Sequence, residues 1–245
     1  MHDDPGYTFL HVTKYPTEEM TDAARGLPPP DYLTLPGEGA EVFPLPEPSE
    51  TILEPLDLRD AIRQRRSVRI FTGSPVPFPI LSYLLWAMQG VSGPALMYRT
   101  APSAGALHPV DTYAAIQNVS GVPIGIWRYL PDRHALELIE GGPEPIMQLS
   151  KACLMQPAVL RAPVTFFWAA TPYRTVWKYG QRGYRDIFLD AGHICQNCYL
   201  AGVQAGLGVC AIGAFSDDAA AAALHPSKDQ VLIYAAAAGY PREVQ

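Results

Sequence analysis

The sequence predicts an α+β fold, and three observations carry that prediction. Asp111 to Gln117, Gly125 to Tyr129 and Ala135 to Ile139 read as strands with only turns between them, which makes a meander and not a βαβ unit. Val164 to Ala170 and Gln230 to Ala238 are apolar enough to be strands inside a sheet. From Arg182 to about Ala205 the pattern is helical, and between 187 and 205 the one formally charged side chain is Asp190. With 245 residues, 48% of them apolar, the chain can bury a large core as one domain.

Residues 1–56 read as an extended arm and 57–245 as the folded domain. The arm holds Pro5, Pro16, Pro28 to Pro30, Pro36, Pro44, Pro46, Pro48 and Pro55, a density that prevents any long helix and disfavours central strands. It also carries Tyr7, Phe9, Leu10, Val12, Tyr15, Tyr32 and Phe43, too apolar for a solvated tail, so it is expected to wrap over the body or a partner subunit. Asp57 to Ser67 predicts a short helix with Leu58, Ile62 and an acidic start. Pro79 to Gln89, with Pro at a first helical position and Gly90 beyond its end, predicts a buried helix.

Residues 144 to 160 read as helical. The helix from Arg182 is too apolar to be solvated, yet Asp190, His193, Gln196, Asn197 and Gln204 interrupt it, which argues against a membrane span. Burial in the fold or between two copies of the chain satisfies it. Gly206-Leu-Gly208-Val-Cys-Ala211 matches a dinucleotide fingerprint in spelling, but a helix precedes it and a strand follows, the inverse of the required context. Gly206 reads instead as the end of the long helix, leading into a strand from Gly208 to Phe215. Asp217 or Asp218 is expected to cap a short alanine-rich helix.

Composition excludes some functions. A formal net charge of -6 with no basic arm argues against a nucleic-acid surface. The N-terminus has acids where a secretory signal needs cations, so a cytoplasmic location is expected. Four cysteines, at 153, 195, 198 and 210, make no disulfide framework, and the single C-x-x-C of Cys195 and Cys198 lies within a helix with no second pair, so no metal is expected.

Chemistry concentrates in three places. Residues 98 to 113 contain Pro102-Ser103-Ala104-Gly105-Ala106, small side chains that let backbone approach something flat, bracketed by Arg99 and His108. The same run also fits a tight loop packed under another element. Five arginines lie between 59 and 69. They fit a solvated helix C-terminus, and equally Arg65, Arg66 and Arg69 around Ser67 fit a phosphate, whose oxygens match guanidinium forks. The third place is Tyr173 to Arg185, rich in cations, aromatics and glycine.

FLHVTKYP, RRSVRIF at 65 to 71, LLWAMQGV, RTAPSAGALHP, GIWRYLPDRHALELI, WKYGQRGYR, DAGHICQNCYLAGVQAGLG and CAIGAF together resemble the SagB-type dehydrogenases, a branch of the nitroreductase-like flavoproteins. The resemblance runs over nearly the whole chain, with His108 a departure where Tyr is the commoner residue. It implies a three-layer α/β/α fold with a mostly antiparallel central sheet in an intertwined homodimer. It also implies FMN, with Arg65, Arg66, Ser67 and Arg69 on the phosphate and ribityl motif and Arg242 as a second phosphate ligand. Pro102, Ser103, Ala104, Gly105 and Leu107 are implied to lie against the flavin ring, presented by the opposite subunit, and Gly213 and Ala214 to approach its N5. Lys178 and Tyr179 match the Lys-Tyr pair of azoline-oxidising members.

The implied reaction aromatises a thiazoline or oxazoline carried by a peptide or carrier, alone or with a cyclodehydratase complex. Lys178, partly buried near arginines, is the expected base. Three other readings stay open at this point: an NAD(P)H-dependent nitro- or quinone-reductase, a dehydrogenase of another carrier-bound or free small molecule, and a scaffold subunit that needs flavin only to fold.

Overall fold

The computed structural model describes residues 4–16 and 19–242. Strands Val42–Pro44 (β1), Val110–Ile116 (β2), Gly125–Leu130 (β3), Ala135–Gly141 (β4), Val164–Ala170 (β5), Gly208–Ile212 (β6) and Val231–Gly239 (β7) form one sheet, ordered β1-β4-β3-β2-β5-β7-β6. Every neighbouring pair is antiparallel. The expected meander is β2, β3 and β4, and the apolar strand β5 runs down the middle between β2 and β7.

Eight helices accompany the sheet among the described residues: Pro5–Val12 (α1), Leu58–Gln64 (α2), Phe78–Gln89 (α3), Pro143–Ala152 (α4), Pro157–Arg161 (α5), Tyr173–Tyr179 (α6), Arg182–Gln204 (α7) and Asp217–Leu224 (α8). Side chains alternate across a strand, and β5 uses both faces. Phe166 and Trp168 pack with Leu81, Leu84, Leu85 and Met88 of α3 and Ile187, Ile194 and Cys198 of α7. Phe167 and Ala169 pack on the other side with Ile146 and Leu149 of α4, Val159 of α5 and Ala223 and Leu224 of α8. The result is three layers, α/β/α. Both faces of β5 are covered, so its sequence shows no polar alternation. Each such fully buried large side chain contributes about 1.5 to 3 kcal/mol of transfer free energy.

Several boundaries differ from the sequence reading. The helical stretch 144–160 is interrupted, because Leu154 and Met155 adopt left-handed backbone, φ +57° and +53°, ahead of the Pro that opens α5. The expected strand 208–215 stops at Ile212. Ser216, not Asp217 or Asp218, holds the N-cap position of α8, and both aspartates sit in its first turn, where the helix dipole favours them. Gly206 does end α7 in left-handed backbone at φ +69°. Leu58 and Ile62 of α2 point to solvent, and only Ala61 of that helix is buried.

The arm follows the surface of the body. Buried Arg128 pairs with Glu137 at 2.5 Å and donates to Leu35 O, while Glu137 accepts from Gly37 N–H. Buried Arg174 pairs with Asp111 at 3.3 Å and donates to Asp31 O and Thr34 Oγ1. β1 then adds the arm to the sheet edge beside β4. Proline density suits this route, since edge strands and extended chain need few main-chain donors.

Candidate functional site

The small-residue loop and the Lys-Tyr pair meet within one chain. Ala104–Ala106 makes a 3-10 turn with Gly105 at φ +62°, a conformation that favours glycine. A Cβ on Gly105 would stand 2.5 Å from Tyr179 Oη and 3.1 Å from Lys178 Nζ, so the missing side chain is what lets the pair lie against the loop. The Lys178 ammonium nitrogen sits 5.5 Å from the centre of the Tyr179 ring. The sequence reading expected Lys178 partly buried, and in the single chain it is exposed.

Asp190 of α7 fixes this loop. Its carboxylate, buried at 3% exposure, accepts from Ser103 Oγ–H at 2.5 Å and from Ala104 N–H at 3.1 Å. Burial pushes the Asp190 carboxyl up, and these two bonds pull part of the way back. Ser103 Oγ also accepts from His108 N–H at 2.9 Å. His108 is buried, donates from Nε2 to Met97 O at 2.9 Å, and is pushed down to about 4 chiefly by burial, so its ring is neutral at pH 7. A neutral imidazole thus occupies the position of the expected Tyr.

The arginine cluster is built differently. Arg65 is the C-cap of α2, and the next residues lie alongside β6, with Ser67 bridged to Val209 and Val68 N–H donating to Val209 O. Tyr199 of α7 organises it: its hydroxyl is 3.0 Å from Ser67 Oγ, accepts from Ala211 N–H at 2.8 Å, and its ring lies 5.3 Å below the Arg65 guanidinium. Arg66 and Arg69 are exposed and bond only main-chain carbonyls, and among the described residues none of Arg65, Arg66, Arg69 and Arg242 pairs with a carboxylate. Arg242 N–H donates to Ile70 O, which brings the end of the chain to this cluster. Gly213 is exposed with open space where a Cβ would be, and Gln156 Nε2 donates to Ala214 O at 2.7 Å, bracing the segment from behind.

The predicted site residues therefore gather into two groups. Pro102, Ser103, Ala104, Gly105 and Leu107 lie with Lys178 and Tyr179; Arg65, Arg66, Ser67 and Arg69 lie with β6 and Arg242. Asp190 anchors the first group and Tyr199 the second, about 13 Å apart along α7 at 1.5 Å per residue. No hydrogen bond among the described residues joins the two groups. Asp190 was visible in the sequence as the lone charge of an apolar helix, but Tyr199 and Gln156 carry no local signal. Cys195 and Cys198 are buried in the packed face of α7, and burial pushes the Cys195 thiol up to about 12. Among the described residues no helix is long and apolar enough to cross a membrane.

A three-layer fold with an antiparallel sheet, an arginine cluster at its edge and a small-residue loop defines a class. Residues 62–240 match the nitroreductase family, and the chain belongs to that family, whose members are flavin-dependent oxidoreductases. MJ1384 of Methanocaldococcus jannaschii, named as a nitroreductase, is 38% identical over 169 residues, covering 68% of this chain and 83% of that protein. The trifolitoxin-processing protein TfxB of Rhizobium leguminosarum bv. trifolii is 30% identical over 113 residues, 44% of this chain and 30% of that one. A Ralstonia eutropha structure named as a nitroreductase superposes with a TM-score of 0.68 at 28% identity, covering 89% of this chain and 99% of that one. One from Anabaena variabilis gives 0.67 at 30% identity, and the match takes in 76% of this chain but 38% of the longer relative.

Proposed function

We propose that the chain is an FMN-dependent dehydrogenase that oxidises thiazolines or oxazolines to azoles during peptide natural-product maturation, acting as a homodimer. The observation that carries this reading is the packing of Lys178 and Tyr179 against Gly105, which puts a proton-accepting pair beside the loop that the family resemblance lays on the flavin ring. The likeness to a trifolitoxin-processing protein supports a peptide as the substrate class.

The residues present fit a flavin. Guanidinium groups that pair with no carboxylate among the described residues, with Ser67 between them, match the donor set a phosphate needs. Gly105 and Gly213 are both exposed, and neither puts a side chain in the way of a flat ring. The two groups come together when the arginine cluster of one subunit meets the loop and Lys-Tyr pair of the other.

Bound flavin supplies a two-electron acceptor for the hydride leaving one ring carbon. The neighbouring carbon loses a proton, and its C–H electrons become the new ring double bond. Lys178 is the group assigned to take that proton. Tyr179, next to it, orients the substrate ring or shares the proton. Asp190, Ser103 and the Ala104 N–H hold the loop so that the substrate meets Lys178 in one geometry. The exposure of Lys178 leaves it open to a large peptide substrate and lets it return the proton to water.

The test is a thiazoline-containing peptide incubated with the FMN-loaded protein and dioxygen or an artificial acceptor. Azole formation, read as a mass loss of two hydrogens, is expected. No mass loss at full flavin occupancy sinks the reading. The 38% identity to MJ1384 over most of its length favours a second one, a nitro- or quinone-reductase. Stopped-flow bleaching of the flavin by NADH or NADPH would then be fast.

A further inference from the structure

The N-terminal arm lies before residue 62, where the match to the nitroreductase family begins, and it is bonded to α6 at Tyr173, Arg174 and Trp177. A seven-residue helix has too few internal bonds to hold itself in water, so tertiary contacts decide where α6 sits. At its start, Tyr173 Oη–H donates to Asp22 at 3.0 Å, and Arg174 Nε–H donates to Asp31 O at 2.9 Å. At its end, Trp177 O accepts from Ala23 N–H at 2.9 Å, and Trp177 Nε1–H donates to Leu27 O at 3.1 Å. The carbonyls of a last helical turn have no partner inside their own helix, so the arm acts as part of the C-terminal cap of α6.

The same arm also holds the first turns of α7. Thr13 is buried at 1% exposure, its hydroxyl donating to Phe9 O at 2.6 Å and accepting from Arg185 Nη2 at 2.7 Å and Nε at 3.2 Å. Arg185 Nη2 reaches Leu10 O as well, and Phe9 sets its ring edge-on to Phe188. Between these two anchors lie Lys178 and Tyr179. The residue that the arm caps, Trp177, immediately precedes Lys178.

We infer that the arm is a splint for the α6–α7 corner, and that its residues 9–16 and 19–34 position Lys178 and Tyr179 against the Gly105 loop. This rests on the proposed role of the Lys-Tyr pair. Asp22, Ala23, Leu27 and Thr13 are then positioning residues that touch neither substrate nor flavin. An error of about 1 Å in placing a catalytic group can cost about 100-fold in rate, so loosening the splint should lower turnover while leaving flavin bound.

The experiment uses the full FMN-loaded chain and compares wild type with Thr13→Val, Trp177→Phe and the double variant, by hydrogen exchange and by turnover of the thiazoline peptide. Amides of residues 174–182 are expected to exchange about tenfold faster in each variant, while those of β5 and β7 keep their protection. Turnover should fall about tenfold in kcat at unchanged flavin content, and Thr13→Ser, which keeps the hydroxyl, should restore both. Faster exchange confined to residues 9–34, with 174–182 unaffected, would overturn the splint. Tyr173→Phe, whose ring is partly exposed, serves as the variant that cannot unfold the body, and it should speed exchange in the same amides by a smaller factor. Exchange needs no substrate, so a splint that responds in a protein unable to oxidise thiazolines would retire the enzymatic reading and leave the arm's role standing.

Discussion

Ser103 and Ser67 both belong to segments expected to meet the flavin, yet their surroundings differ. Ser103 donates to the buried carboxylate of Asp190 and receives the His108 amide, so the loop is held by partners inside the chain. Ser67 is exposed and meets the phenol of Tyr199, among guanidiniums that no carboxylate of the described residues neutralises. A buried charge without partners would be costly, so the loop half must be complete before any ligand arrives. Exposed guanidiniums are stabilised by water and can exchange that water for phosphate oxygens. One group is thus held by partners inside the chain, and the other leaves its donors open to solvent.

The largest expected effect would break the comparison on the loop side. Lys178→Ala is expected to lose azoline oxidation by about 100-fold or more while keeping its yellow colour, the usual scale for a positioned base. Tyr179→Phe keeps the ring and should cost within about tenfold. Mass spectrometry of the thiazoline peptide, with flavin absorbance read alongside, separates the two; wild-type turnover in Lys178→Ala at full occupancy would move the base elsewhere.

On the arginine side, Arg65→Ala or Arg69→Ala should remove a charge-assisted phosphate bond of about 1.5 to 3 kcal/mol, weakening FMN roughly 10- to 100-fold. Fluorescence titration of the apoprotein measures this. Thermal stability of the apoprotein should hardly change, because neither side chain is buried. Equal FMN affinity in both variants would place the phosphate away from this cluster.

Asp190→Ala should do the reverse. It strands Ser103 and the Ala104 N–H, costing about 2 kcal/mol and therefore about 4 to 8 °C in Tm for a chain of this size. Differential scanning calorimetry of the apoprotein decides it. An unchanged Tm would mean that the loop is not held from inside.

The last effect depends on pH and concerns His108. Its folded pKa, near 4, lies below the ordinary value of about 6.5, so between those pH values the unfolded chain binds a proton that the native ring refuses. This contribution is fully present above about pH 6.5 and is lost as pH falls toward 4. His108→Tyr removes the titrating ring, so urea denaturation of wild type and variant should diverge only below about pH 6.5. Parallel profiles from pH 7 to 4 would show that the ring is protonated in the native state.

Sequence by itself determined the elements whose signal is local. The meander, the apolar strands β5 and β7 and the long helix α7 follow from runs of side chains whose periodicity depends only on near neighbours. The resemblance motifs likewise marked segments that the structure gathers into two groups. Tertiary structure alone decided how those segments meet. The bonds that build the site join Ala104 to Asp190 across 86 residues, Ser67 to Tyr199 across 132 and Arg174 to Asp31 across 143. Nothing in a local window encodes which buried carboxylate a loop will find. Lys178 illustrates the limit: the sequence reading placed it partly buried, and in the single chain it is exposed. Backbone propensity and hydrophobic period act over a few residues, whereas desolvation and the pairing of buried polar groups depend on the whole packed chain.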